Sequence, residues 1–134
     1  MATTRQTNHS PILGYFVFKD FGDGCLGSKY SNTINHRLFG ETAVRQRDSI
    51  PEPADVYIGT YQSSWLDESG VPDSGNQAIL KIGRKDSTVG QYSLTWMNPR
   101  NEHDIYYHGE GMLIDGSLVG SYWDRPIQDL LQNR

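Results

Sequence analysis

Residues 105–124, IYYHGEGMLIDGSLVGSYWD, contain the pair of side chains most suggestive of chemistry, His108 and Glu110. An imidazole titrates near neutral pH and a buried carboxyl group can have a raised pKa, so the pair could move protons in an isomerase-like or lyase-like reaction. Two residues apart on a strand, they would lie about 7 Å apart and flank a bound group. No nucleophile or oxyanion signature accompanies them, so catalysis by His108 or Glu110 is the alternative to ligand binding.

The Asp-Gly dipeptide at 115–116 predicts a two-residue hairpin turn, since a type I′ turn needs positive φ at both central positions. The turn places His108 opposite Trp123, and directly opposed residues share one face of a sheet. A three-residue loop would instead exchange the faces of the last strand.

One face of this hairpin mixes apolar bodies with a few polar groups, which is the composition expected of a small-molecule cavity. Its residues are His108, Glu110, Met112, Val119, Ser121 and Trp123. The other face is smooth and aromatic, and its residues are Tyr107, Gly109, Gly111, Leu113, Leu118, Gly120 and Tyr122. We expect the mixed face to line a ligand cavity. The alternative is that it faces solvent.

A second set of candidate ligand contacts lies in DVYIGTYQSSW, residues 55–65. Tyr and Trp combine an apolar face with a polar tip, which suits recognition of a ring, a sugar or a peptide. The alternative is that these aromatic residues belong to the core, as we expect for Trp96. Together the predicted ligand-binding residues are Tyr61, Ser63, Trp65, His108, Glu110, Met112, Ser121 and Trp123.

The segment EHD at 102–104, with His108, offers nitrogen and oxygen atoms to a metal. These three residues lie in a polar stretch, alternate in direction and lack zinc-type spacing. In a haem-binding barrel, His108 would be the axial ligand. We expect no metal ion and no cofactor.

Short alternating runs broken by Gly, Asp, Asn and Pro dominate the chain, and patterns of helical period are almost absent. This predicts an all-β protein. The strands are expected at 12–18, 25–31, 37–46, 55–65, 77–83, 91–97 and in both arms of the hairpin, with loops at 48–55, 66–76, 84–90 and 98–104. About eight strands close a small antiparallel up-and-down barrel around a filled interior or one small ligand. A β-sandwich is the alternative.

Glycines inside the predicted strands suit a barrel that must bend, or a bulky neighbour that packs over the gap. They are Gly59, Gly83, Gly109, Gly111 and Gly120.

The C-terminal residues have a different pattern. Asp124 can cap a helix, Pro126 suits its first turn, and Ile127, Leu130 and Leu131 fall on one face at helical spacing. We therefore expect a disordered tail, a single barrel domain and a short C-terminal helix or docked tail, at 1–10, 11–124 and 125–134 respectively.

The strand at 12–18 is apolar on both faces. Ile12, Phe16 and Phe18 alternate with Leu13, Tyr15 and Val17. Both faces of such a strand are expected to be covered, the second one either by another layer of the protein or by a partner subunit. A homo-oligomer formed through this strand is a further hypothesis, compatible with ligand binding.

Three segments repeat a Gly-x-Tyr or Gly-x-x-x-Trp pattern: GTYQSSW (59–65), GQYSLTW (90–96) and GSLVGSYW (116–123). With the size and strand count, this pattern resembles the calycin type of barrel, the group of lipocalins, fatty-acid-binding proteins and avidins. The resemblance covers most of 55–124 and, loosely, 12–47. It implies a cavity inside an antiparallel barrel, often with a ligand. The Gly-x-Trp motif that usually opens lipocalins is replaced here by GYF.

The formal net charge is −4, and the basic residues are scattered. Nucleic acid and anionic membrane surfaces are therefore disfavoured as partners. There is no apolar run of about 18 residues to span a membrane, and the N-terminus has no apolar signal-peptide core. The single Cys25 cannot form an intramolecular disulfide, so we expect a reducing, cytoplasmic location for the protein. We expect Cys25 itself to act as a small buried apolar residue.

Non-enzymatic binding of a small, partly apolar ligand in a barrel cavity is the leading hypothesis.

Overall fold

Eight strands, a 3₁₀ turn and one α-helix make up the part of the chain that the computed structural model describes, residues 10–50, 55–66 and 72–133. The strands are β1 (Leu13–Asp20), β2 (Cys25–Asn32), β3 (Phe39–Arg45), β4 (Gly59–Leu66), β5 (Pro72–Arg84), β6 (Gln91–Asn98), β7 (Asn101–Ile114) and β8 (Ser117–Trp123). The turn is Lys85–Ser87, and the helix α1 is Arg125–Gln132. Of the predicted disordered tail, 1–10, only Ser10 lies within the described residues.

Each strand pairs antiparallel with the next along the chain, and β1 also pairs with β8, which closes the barrel. The predicted eight-stranded antiparallel up-and-down barrel is therefore confirmed, and the β-sandwich alternative is wrong. Such a barrel is consistent with the calycin type.

The hairpin of β7 and β8 has the predicted register, with Ile114 opposite Ser117 and His108 opposite Trp123. Asp115 and Gly116 adopt φ of 50° and 80°, the positive values that the predicted two-residue turn requires. The Asp-Gly dipeptide therefore sets the pairing of all seven residue pairs in this hairpin.

The barrel interior is filled mainly by aromatic side chains, because inward and outward residues alternate along every strand. Phe16, Tyr61, Tyr92, Trp96 and Tyr122 are fully buried there. The smooth, glycine-bearing face of the β7–β8 hairpin is the internal one, with Tyr107, Leu118 and Tyr122 in the core. Cys25, expected to be buried, is only half-buried.

Glycine allows aromatic rings to lie directly on the backbone of the strands, as two contacts in the core show. The Tyr122 ring covers Gly14, where a Cβ atom would come within 2.5 Å of the ring. Trp96 covers Gly109, where a Cβ atom would lie 3.0 Å from the indole. These contacts agree with the expectation that strand glycines accommodate bulky neighbours.

Two strands begin earlier than predicted. β5 begins at Pro72, within the segment 66–76 that we expected to be a loop, because Leu66 pairs with Pro72 after a register shift in β4. The remainder of that predicted loop, 67–71, lies outside the described residues.

β7 begins at Asn101, although the pattern at 98–104 predicted a loop. The side chain of Asn98 holds a tight turn here, since its oxygen accepts from the Arg100 amide at 2.9 Å and its amide donates to Asp104 at 3.2 Å. Register shifts on either side of Met97 absorb the change of pairing. The polar residues at 98–104 therefore form a tight hairpin turn and the start of β7, and the predicted loop is wrong.

The barrel end at the 115–116 turn, which we call the closed end, is fastened by Tyr57. Its hydroxyl donates to the Gly116 carbonyl at 2.6 Å, and its backbone amide donates to the Asp55 carboxylate at 3.1 Å. The residue thus joins the segment before β4 to the β7–β8 turn.

Tyr57→Phe removes only the hydroxyl of this fastening, so it is expected to reduce the free energy of unfolding by about 1 kcal/mol, the usual net contribution of one hydrogen bond. Urea unfolding followed by circular dichroism measures the change. Tyr15→Phe is the matched control, because Tyr15 is 56% exposed and should change stability little. Equal effects of the two substitutions would contradict the role given to Tyr57.

The short C-terminal helix is present as α1, and it lies against β7. Asp124 stands at its N-cap, but the carboxylate accepts from the Ile12 amide at 2.9 Å and makes no side-chain cap for the helix. The residue instead ties the end of β8 to the start of β1. Leu130 and Leu131 are exposed. Within the described residues, no helix combines the length and apolar character needed to cross a membrane.

Candidate functional site

A buried carboxyl group lies inside the barrel, near the end opposite the closed end. Glu41 on β3 is only 3% exposed and stands between Ser28 on β2 and Trp65 on β4, its direct partners across the two strand pairs. The alternation of β3 places it on the inner face, because Phe39 and Ala43, two residues away on either side, are also buried. We call this region the Glu41 end.

One carboxylate oxygen of Glu41 is held by two donors. Oε2 accepts from the Ser63 hydroxyl and from the Trp96 indole Nε1–H, the latter at 2.8 Å. Both donors are fully buried side chains of other strands, β4 and β6. The carboxyl group is therefore fixed in orientation by neutral partners across the barrel.

Five other polar atoms at this end are buried and have no hydrogen-bond partner among the residues that the structure describes. They are Glu41 Oε1, Ser28 Oγ, Tyr30 Oη, Trp65 Nε1 and Asn76 Oδ1. Leaving one buried polar group unpaired costs about 1–3 kcal/mol, so native proteins do so rarely. Their concentration around one carboxyl group marks this region as a candidate binding site.

Electrostatics keep the phenols of this region neutral. Burial raises the pKa of Tyr30, and the nearby groups Glu41, Tyr122 and Tyr107 raise it further. Burial also raises the pKa of Tyr122, against the lowering effect of the hydrogen bond that Asn32 donates to it at 3.0 Å. The Tyr30 hydroxyl therefore remains a proton donor inside the barrel.

Aromatic rings form the walls around these polar atoms. Tyr30 stacks on Phe39 with centroids 5.6 Å apart, and Tyr107 and Trp96 meet Tyr122 at 5.6 and 5.9 Å. Such packed rings hold the neighbouring polar groups in fixed positions. The Glu41 end therefore combines packed apolar rings with a few oriented polar groups, the mixture of side chains that small-molecule sites use.

Of the predicted site residues, Tyr61, Ser63 and Trp65 face the barrel interior. Ser63 and Trp65 belong to the Glu41 end. Tyr61 lies toward the closed end, where its hydroxyl donates to the Tyr57 carbonyl at 2.8 Å. Burial raises the pKa of Tyr61 to about 12, although the nearby Arg45 opposes this. The structure thus separates Tyr61 from the other two.

The other five predicted site residues lie on the outer face of the barrel, which corrects their expected position inside a cavity. They are His108, Glu110, Met112, Ser121 and Trp123. The reason is packing: the glycines of the other face leave room for core rings such as Trp96, which lies over Gly109. The larger side chains of the mixed face would leave no such room. The register was right, but the inward side was assigned wrongly.

The outward residues have partners of their own. Glu110 accepts from the Lys85 ammonium at 3.0 Å, and the Trp123 indole donates to Gln128 of α1 at 2.7 Å. Burial lowers the pKa of His108, with a further lowering by Arg125, while Asp129 opposes the shift. Glu110 is therefore engaged in an ion pair with Lys85, and His108 lies near charged residues of α1. The two residues do not form the proton-transfer pair of the alternative hypothesis.

The lowered pKa of His108 makes its protonation less favourable in the folded state than in the unfolded chain. His108 should therefore reduce stability as pH falls below about 6.5, its unfolded value, and this loss should be complete below the folded pKa. His108→Gln should become more stable relative to the wild type on going from pH 7.5 to 5. Asp129→Asn should lose more stability than the wild type over the same pH range, because it removes the charge that raises the pKa of His108.

Urea unfolding at several pH values measures this difference. A wild-type-to-variant difference that is constant across the range would contradict the stated effect of burial on His108.

The acidic and histidine residues at 102–104 do not form a metal site in the structure. Glu102 pairs with Lys81 at 3.7 Å, and Asp104 accepts from Asn98. In the described ranges of the chain, no group of three or more His, Cys, Asp or Glu residues is arranged to hold a metal ion.

Sequence reasoning missed Glu41, Ser28, Tyr30 and Asn76 as site residues. A signal was present at Glu41, because FGETAV places a charged residue on the apolar face of an alternating strand. Burying such a residue is unfavourable unless it is paired. The polar atoms around it come from separate strands, and only the closed barrel brings them together.

Comparison with protein-family models, with curated proteins and with solved structures finds no match for this chain.

Proposed function

We propose that this protein binds a small, partly apolar molecule inside a calycin-type barrel, at the Glu41 end, without catalysing a reaction. The observation that supports this is the group of buried, unpartnered polar atoms around Glu41. A ligand with complementary donors and acceptors would remove their cost, while the aromatic walls would cover its apolar part.

The contrast between the two ends of the barrel supports a specific site. At the closed end, the hydroxyls of Tyr57, Tyr61 and Tyr92 donate to Gly116, Tyr57 and Asp55, at 2.6, 2.8 and 2.5 Å respectively. At the Glu41 end, the Tyr30 hydroxyl is equally buried and has no hydrogen-bond partner within the described part of the chain. Tyrosine hydroxyl groups are thus hydrogen-bonded at the closed end, whereas the Tyr30 hydroxyl beside Glu41 is available to a ligand.

A screen of several hundred fragments by thermal unfolding tests this proposal. A ligand at 100 times its dissociation constant stabilises the folded state by about 2.7 kcal/mol, so a binder raises the melting temperature. We expect stabilising fragments, and we expect Trp65→Phe to weaken their effect because it removes an unpartnered inner donor.

Trp123→Phe is the matched control, since it makes the same chemical change on the outer face. Fragments that lose their effect in Trp123→Phe but keep it in Trp65→Phe would place the binding site on the outer hairpin face. A screen without stabilising fragments would count against the proposal.

Self-association is a second candidate role, supported by the outer face of β1. Leu13 and Tyr15 are exposed there, and Met112 is exposed two strands away on β7. Val17 pairs with Val119 between them, which makes the patch continuous across β1, β8 and β7. Lys29 borders the patch on β2 and Glu110 on β7, so a two-fold related copy would bring opposite charges together at both edges.

Sedimentation velocity across micromolar concentrations tests this role. We expect a dimer that dissociates in the variant carrying Tyr15→Ser and Met112→Ser. Val44→Ser is the control, because Val44 is exposed on β3, away from the patch. A monomer throughout the concentration range would contradict self-association and leave ligand binding unaffected.

A further inference from the structure

We infer that the ligand of the Glu41 end carries a planar organic cation with N–H donors, of the amidinium or guanidinium class. This inference rests on the proposed function and specifies its ligand.

The first argument is charge. Glu41 is a buried carboxyl group whose hydrogen bonds come from neutral donors, Ser63 and Trp96. Among the described inward-facing residues, the arginines Arg45 and Arg84 belong to the closed end, where they interact with Tyr61 and Tyr92. A buried carboxylate is stabilised by an opposite charge, and a cationic ligand would supply one.

The second argument is the donor and acceptor pattern. Glu41 Oε1 and Asn76 Oδ1 are both unpartnered acceptors. They call for N–H donors on the ligand, and an amidinium or guanidinium group carries several such donors. Ser28 and Tyr30 can accept or donate, whereas the Trp65 Nε1–H needs an acceptor elsewhere on the molecule.

The third argument is the shape and chemistry of the walls. Tyr30, Trp65, Trp96 and Tyr107 are buried aromatic residues of this end. A cation within about 6 Å of an aromatic centroid is attracted to the face of the ring, and a planar group can lie along it. A carboxylate with such rings beside it favours a flat cation over an anionic ligand.

Two matched series of probes test the charge class. Acetamidinium, acetamide and acetate have nearly the same size, as do benzamidine, benzamide and benzoate. Dissociation constants are measured by protein-observed NMR for the wild type and for Glu41→Gln, whose folding is checked by the same spectra. We expect the cation of at least one series to bind about tenfold more tightly than its neutral counterpart.

Glu41→Gln should reduce the affinity for that cation by about tenfold and change the affinity for the neutral counterpart by less than about threefold. Asn76→Asp is a second variant with the opposite expected sign. It adds negative charge at an unpartnered acceptor and should strengthen cation binding.

Equal or tighter binding of acetamide or benzamide at the same site would overturn the cation inference while supporting the binding function. Cation binding unchanged in both variants would overturn the role of Glu41 and Asn76. If the cations fail to bind and fragments of another charge class bind inside the barrel, the inference fails and the proposed function stands. If neither the series nor the fragment library binds inside, both fail.

Discussion

Gly120→Ala is expected to destabilise the barrel by about 3 kcal/mol, the upper end of the usual cost of overpacking. A Cβ atom at this position would overlap the Glu110 carbonyl oxygen and lie 2.7 Å from the Gly111 Cα atom. Both obstacles are backbone atoms of the paired strand, so no side-chain rotation can relieve the contact. Urea unfolding followed by tryptophan fluorescence gives the free energy.

Gly83→Ala is the matched control for this substitution. Gly83 also lies inside a strand, β5, but a Cβ atom there would meet nothing within 4 Å. We expect a change within about 0.5 kcal/mol. If the two alanines cost the same, the close approach of β7 and β8 is not what requires glycine at position 120.

Trp96→Phe is expected to destabilise the protein by about 3 kcal/mol. The substitution removes part of a fully buried ring system and the indole donor that holds Glu41 Oε2 at 2.8 Å. Of its two donors among the described residues, the Glu41 carboxyl group would then keep Ser63.

Trp65→Phe makes the same change directly opposite Glu41 and should cost markedly less. Its Nε1–H has no partner in the ranges 10–50, 55–66 and 72–133, so the substitution removes an unsatisfied donor together with some apolar volume. The difference between the two variants estimates the Trp96–Glu41 hydrogen bond, about 1.5–3 kcal/mol for a bond to a charged group. Equal losses would mean that the unpartnered state of Trp65 is not a property of the folded protein.

The strand count, the barrel class and the β7–β8 register could be predicted from the sequence, because they depend on local patterns. Alternation marks strands, and Asp115-Gly116 sets a register through its turn geometry. The side of the hairpin that faces inward could not be obtained this way. A register relates two strands to each other, whereas the inward direction depends on the whole barrel.

The strand at 12–18 shows the same limit. Phe16 and Phe18 are buried as expected, whereas Leu13 and Tyr15 on the other face are exposed in the described structure. An apolar outward face therefore does not by itself identify what covers it. Burial of that face by a partner subunit stays a prediction.

The candidate site could be predicted only in part. The hydroxyl of Ser63 and the indole of Trp65 mark these residues as candidate ligand contacts in the sequence, which stays a prediction, whereas the buried carboxyl group beside them was missed. Glu41, Ser28 and Asn76 come from three strands, β3, β2 and β5, and none carries a motif. Their common property is that each has a buried polar atom without a partner in the described structure, and this burial exists only after the strands close into a barrel.

The most direct test of binding inside the barrel uses the three tryptophans as reporters. Each gives one indole signal in a ¹H–¹⁵N spectrum, assigned by the single Trp→Phe variants. Trp65 and Trp96 lie at the Glu41 end, and Trp123 lies outside, bonded to Gln128. Each fragment that raises the melting temperature would be titrated into the labelled protein.

We predict that the indole signals of Trp65 and Trp96 shift saturably while that of Trp123 stays in place. Shifts confined to Trp123, or no movement of either inner signal with any stabilising fragment, would contradict a binding site inside the barrel.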